Sequence, residues 1–83
     1  MAIAVVLAKS AQKDIDSLPA AIQARVAQAI VELHDYPNVS GVKALKGALK
    51  GTLRVRVGNY RILFTLGSRV ITITAVDDRK EAY

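Results

Sequence analysis

LRVRVGNYRILFTLGSRVITITAV, residues 53–76, is the stretch whose reading decides the fold. Leu53, Val55 and Val57 alternate with Arg54 and Arg56, a period of two that predicts a strand with one apolar and one cationic face. Gly58 and Asn59 interrupt it as a two-residue hairpin turn, in which glycine supplies a positive φ. Such a turn sets the register, so Val57 is expected opposite Tyr60, Arg56 opposite Arg61, Val55 opposite Ile62 and Leu53 opposite Phe64. Gly67 and Ser68 read as a second turn of the same kind, which puts Phe64 opposite Ile71, Ile62 opposite Ile73 and Arg61 opposite Thr74. The expected product is a three-stranded antiparallel meander. Its apolar face holds Leu53, Val55, Val57, Tyr60, Ile62, Phe64, Ile71, Ile73 and Ala75, and its other face Arg54, Arg56, Arg61, Leu63, Thr72 and Thr74.

An apolar sheet face needs a cover, and the residues before the meander supply it. Ser10 is expected to cap a short helix reaching about Ser17, with Ala11, Ile15 and Leu18 at helical spacing. Pro19 suits the first turn of a second helix, in which Ile22, Val26, Ala29, Ile30 and Leu33 form one apolar stripe that ends before Tyr36 and Pro37. The apolar opening from Ala2 to Ala8 reads as a buried strand of the same sheet. The expectation is therefore an α+β fold: an N-terminal strand, a two-helix hairpin, then the meander, forming one sheet of about four strands with the helices packed on one face. Residues 1–83 read as a single domain, with no linker, repeat or low-complexity tract.

Composition narrows the chemistry. There is no cysteine and one histidine, which removes disulfides, thiolate metal sites and histidine metal clusters, so no metal or cofactor is expected and a reducing cytoplasm fits. The apolar opening lacks a basic leader and falls far short of the ~20 residues a membrane span needs, so no membrane partner is expected. The formal net charge of +5 is unevenly placed. From Tyr36 to Val76 there is no acidic residue, while Lys43, Lys46, Lys50, Arg54, Arg56, Arg61 and Arg69 all fall there. A one-signed surface of this kind attracts polyanions and releases their counterions on binding.

The predicted register sharpens that into a site. Arg56 and Arg61 lie directly opposite each other, an arrangement that costs roughly 0.2–1 kcal/mol per pair, and Arg54 lies two residues along on the same face. Arginines that only kept the sheet soluble would be interspersed with acids, whereas three guanidinium groups on an acid-free face suit phosphate oxygens. Lys43, Lys46 and Lys50, in the expected loop between helices and sheet, could line a groove for RNA or simply be solvated. Arg79 and Tyr83 follow the last strand, where the tail can fold back past the cationic face and the tyrosine ring can stack on a splayed base. His34 stands at the end of the second helix, where an imidazolium favours the helix C-terminus, and is read as structural.

The order R-x-R, G-x-Y-R, then R-x3-Y in LRVRVGNYRILFTL and DDRKEAY, with the LPAAIQARVAQAI helix and the KALKG turn, resembles the RelE branch of the RelE/ParE toxin superfamily over nearly the whole chain. The resemblance implies a type II toxin: a ribosome-dependent messenger-RNA endoribonuclease that works in the ribosomal A site, contacts ribosomal RNA and is neutralised by a cognate antitoxin protein. It implies attack by a ribose 2′-hydroxyl on the adjacent phosphate, with Arg54, Arg56, Arg61, Arg79 and Tyr83 as the catalytic set. Some relatives have lysines where this chain has Arg54 and Arg56, which do not readily give up a proton. Many have histidine where this chain has Asp78, so proton transfer falls to Asp78, Tyr83, Lys46 or Lys50, or to a group on the ribosome. The alternatives are a ParE-like gyrase poison on the same fold and a catalytically inactive RNA- or ribosome-binding module.

Overall fold

Strand alternation and the two-residue turn act as read in the first hairpin. In the computed structural model, which describes residues 3–39, 41–45 and 51–78, β3 (Leu53–Val57) and β4 (Tyr60–Gly67) pair antiparallel with Leu53 opposite Phe64, Val55 opposite Ile62, Arg56 opposite Arg61 and Val57 opposite Tyr60. Gly58 has φ +60°, a conformation that costs side-chain-bearing residues energy. β5 (Val70–Asp78) lies against the other edge of β4. β1 (Ala4–Leu7) runs parallel to β5, with Ala4 opposite Val70 and Leu7 opposite Ile73. A two-residue strand, β2 (Lys43–Ala44), extends the sheet beside β3, so the order is β1-β5-β4-β3-β2. β2 is the fifth strand where about four were expected, and it places Lys43 in the sheet rather than in a loop.

Both helices form where the apolar spacing puts them. α1 spans Lys9–Asp16 and α2 Ala20–Leu33, with Pro19 one position before the first turn of α2 rather than within it. In α2 the stripe buries Val26 and Leu33 completely and Ile22, Ala29 and Ile30 in part. Those side chains and Ala11 meet Ile62, Phe64, Ile71 and Ile73, all fully buried, to make the core. Each side chain of this size contributes about 1.5–3 kcal/mol on burial. Phe64 also meets the Tyr36 ring edge to face, centroids 6.3 Å apart at 81°. His34, just after α2, lies against the start of β1: its Nδ1 is 2.7 Å from the Ile3 carbonyl oxygen, and its own carbonyl accepts from the Ile3 amide at 3.0 Å. This double tie fixes where the first strand enters the sheet.

Three expectations are corrected. The opening strand, expected to be buried, lies at the edge of the sheet with Ala4, Val6 and Leu7 exposed and only Val5 half-buried. Ser10 does not cap α1, whose N-cap residue is Ala8 and carries no side-chain cap. Its hydroxyl donates instead to the Thr74 carbonyl at 2.7 Å. The second hairpin is also displaced. Arg69 carries the positive φ, +61°, so the turn is Ser68–Arg69, and Gly67 pairs with Val70, Leu66 with Ile71 and Phe64 with Ile73. A β-bulge then shifts the register between Leu63 and Phe64, leaving Thr74 as the extra residue. Beyond it Leu63 faces Ala75, Ile62 faces Val76 and Arg61 faces Asp77. Val76, 3% exposed, therefore takes the core position expected for Ala75, and Arg61 meets Asp77 rather than Thr74.

The bulge is held from the side where β1 has ended. Ala8 N–H donates to the Ile73 carbonyl at 2.9 Å, Ser10 bonds the Thr74 carbonyl, and the Asp14 carboxylate accepts the Val76 amide at 3.1 Å. Helix α1 thus satisfies backbone groups that would otherwise form an open sheet edge. None of the described helices is long and apolar enough to cross a membrane.

Candidate nucleic-acid interface

Residues directly opposite in an antiparallel ladder share a face, so the register assembles the face turned away from the core in rows. One row runs Lys43, Arg54, Leu63, Ala75, and the next Arg56, Arg61, Asp77. The structure thus brings together four of the cations read from the sequence. Lys43 and Arg56 are exposed and Arg54 half-buried. Among the described residues none of these three forms an ion pair.

Arg61 differs. It sits on β4, the middle strand of five, and is only 4% exposed, with Leu63 next to it on the same face at 7%. Its Nε donates to Asp77 Oδ1 at 3.2 Å, and the carboxylate keeps about a third of its own surface open to water. A buried guanidinium without a compensating anion carries a severe desolvation penalty, and this carboxylate meets part of it. The like-charge conflict between Arg56 and Arg61 is reduced, not removed, the same way. One of the two lies down on the face against Asp77, and the other extends into solvent.

Sequence reasoning assigned nothing to Asp77; Asp78, its candidate for proton transfer, pairs with Tyr60 in the β4–β5 ladder. The available signal was that Asp77 is the first acid after the acid-free run. It also assigned nothing to Arg25. That residue stands on α2 over the β3–β4 turn, where a Cβ built on Gly58 would lie 3.1 Å from its Nη1. Arg25, Gln28 and Glu32 of α2, with Arg56 and Gly58, line an open groove of about 270 Å³ that adjoins the cationic face. Lys46, Lys50, Arg79 and Tyr83 lie outside the described residues. Thr74, expected on this face, is the bulge residue, its hydroxyl donating to the Leu63 carbonyl at 3.3 Å.

What the arrangement can do follows from its donors. Guanidinium groups present planar N–H forks that match phosphate oxygens, and the exposed Arg56 and half-buried Arg54 carry theirs on the outer face of the sheet. The face is therefore suited to hold a phosphodiester and to stabilise added negative charge on it.

Comparison with known proteins agrees with this fold. Residues 5–83 match the family described as ParE toxin of type II toxin-antitoxin systems, parDE. The fold is similar to that of the RelBE2 toxin–antitoxin complex of Mycobacterium tuberculosis, at 29% identity and TM-score 0.85 over 95% of this chain and 100% of that one. It is similar to the RelB–RelE complex of Methanococcus jannaschii at 31% identity and TM-score 0.78, covering 94% of each chain. The isolated RelE toxin of E. coli, at 16% identity and TM-score 0.75 over 93% of this chain and 84% of that one, shares the fold. No curated protein sequence matches. With a match over almost its whole length and these structural relatives, the chain belongs to the ParE toxin family of type II toxin–antitoxin systems, within the RelE/ParE superfamily.

Proposed function

We propose that this toxin is a ribosome-dependent messenger-RNA endoribonuclease, acting in the cytoplasm on a message held in the ribosomal A site. The observation that carries the reading is the row Arg56–Arg61–Asp77 beside Lys43 and Arg54: a cationic face built around one buried, ion-paired arginine. Two exposed cations beside it suit the flanking phosphates of a single strand, and the buried one suits the phosphate that reacts. In the reaction a ribose 2′-hydroxyl loses its proton and its oxygen attacks the adjacent phosphorus. The bond to the 5′-oxygen breaks, that oxygen takes up a proton, and a cyclic phosphate remains.

Arg54, Arg56 and Arg61 stabilise the charge that builds on the phosphate through their guanidinium N–H groups. Arg79 and Tyr83 complete the set in this proposal, the tyrosine as a stacking surface for a base. Asp78 is the candidate on this chain for moving the proton, and Lys43, Lys46 and Lys50 bind the RNA backbone. The Mycobacterium tuberculosis and Methanococcus jannaschii relatives are complexes with antitoxins. By analogy this toxin has a cognate antitoxin, with an acidic or amphipathic segment complementary to the cationic face.

The test is primer-extension mapping of a translated message after brief induction of the wild type and of the double variant Arg61→Ala, Arg79→Ala. Cuts that need ribosomes and disappear in the variant are the expected result. Growth arrest with DNA damage and intact messages would instead identify a gyrase poison. Growth arrest with neither would identify a toxin that binds without cutting.

A further inference from the structure

We infer that Asp77 is a positioning residue for Arg61, delivered to that arginine by the β-bulge at Thr74; the inference rests on the ribonuclease reading of the cationic face. The bulge decides which side chain Arg61 meets. In the register that holds from Gly67 to Phe64, Arg61 would face Val76, and Asp77 would point to the helix side of the sheet. The extra residue reverses both: Val76 enters the core and Asp77 stands across from Arg61 on the outer face. Bulges are used to re-aim a side chain in this way near functional sites.

Besides the Ala8 bond to the Ile73 carbonyl, three bonds hold the bulge. Thr74 Oγ1 donates to the Leu63 carbonyl at 3.3 Å, Ser10 Oγ donates to the Thr74 carbonyl at 2.7 Å, and Asp14 accepts the Val76 amide at 3.1 Å. A helix is thus anchored to the segment that carries the carboxylate.

The carboxylate contacts Nε, the nitrogen nearest the aliphatic stem. An acceptor there restricts rotation of the guanidinium about its stem and so holds its plane. An arginine side chain is otherwise rich in rotamers, and catalysis by charge stabilisation needs donors placed before the charge develops. Asp77 also weakens the local attraction for an anionic substrate. That separates positioning from binding: losing Asp77 lowers turnover while leaving substrate affinity equal or better. A residue needed only for stability would move neither at temperatures well below the melting point.

The experiment measures kcat and KM for cleavage of a short message on programmed ribosomes by the purified toxin, with Asp77→Ala, Asp77→Asn, Arg61→Ala and the double variant Arg61→Ala, Asp77→Ala. Asp77→Ala is expected to lower kcat on the order of 10–100-fold with KM unchanged or reduced. Asp77→Asn keeps an acceptor oxygen in place and is expected to recover most of the rate. In the Arg61→Ala background, loss of Asp77 is expected to change kcat less than about threefold, because the residue acts through Arg61. The Arg61 Nε–H signal of 15N-labelled toxin is expected to exchange slowly in the wild type and faster in Asp77→Ala.

An unchanged kcat in Asp77→Ala, or the same loss in both backgrounds, overturns the inference. If Asp77→Ala does not fold, Asp77→Glu, which displaces the carboxylate by one methylene, takes its place with the same expectations. A wild type that cuts no message removes the ribonuclease reading and this role together, whereas cleavage by the wild type with no effect of Asp77 removes this role alone.

Discussion

Reversing the charge of Arg56 should stabilise the fold while disabling the face. Arg56 and Arg61 are directly opposite, and like charges so placed cost roughly 0.2–1 kcal/mol. Arg56→Glu exchanges that repulsion for an attraction of similar size, a swing of roughly 0.4–2 kcal/mol. Arg56 is exposed, so solvent screening holds the gain near the lower end, about 0.5 kcal/mol. For a domain of this size 1 kcal/mol moves Tm by about 4–8 °C, so the variant should melt about 2–4 °C above the wild type at low salt. Circular-dichroism melts at about 0.01 M and about 1 M salt provide the assay. The Debye length falls from about 30 Å to about 3 Å between them, and most of the gain should vanish at the higher salt. Arg56→Gln should show roughly half the effect. The same Arg56→Glu protein should bind RNA more weakly, with a salt slope shallower by about 0.7 for the lost phosphate contact. A Tm at or below that of the wild type at low salt, or a gain indifferent to salt, would refute the electrostatic account of this pair.

Two further outcomes concern the scaffold. Gly58→Ala forces a left-handed φ on a residue with a Cβ and crowds the end of Arg25, a flexible group that can yield; urea unfolding should show a loss of about 1 kcal/mol, and an unchanged midpoint would mean the turn does not need its glycine. Phe64→Ala removes a fully buried ring in contact with Tyr36 and should cost about 3–5 kcal/mol, a large share of the roughly 4–12 kcal/mol available to a chain of this length. A loss below about 1 kcal/mol by chemical denaturation would show that the core does not depend on that ring.

The helices, the first hairpin and the identity of the cationic face were legible in the residues. Alternation over 53–57 and the glycine at 58 are local signals, and each residue's side of a strand follows from counting along it. The α2 stripe was legible for the same reason, because burial of Val26 and Leu33 requires only helical spacing and something apolar to face. The ties of His34 to the Ile3 backbone, by contrast, join residues far apart in sequence and follow from no local pattern.

What the sequence by itself determined, then, is which residues can share a face up to Ile73: most of the apolar set that makes the core and the arginines that gather opposite it. Only the tertiary structure decided what those arginines meet. The placement of the second turn depends on Arg69 accepting a positive φ while Gly67 stays in the strand, and the bulge depends on Ser10 and Asp14, distant in sequence, bonding the backbone of β5. A single extra residue in a strand leaves composition and periodicity almost unchanged yet inverts every side chain after it. That inversion buries Val76, brings Asp77 to Arg61 and turns a row of repelling cations into a face with one buried, ion-paired arginine at its centre.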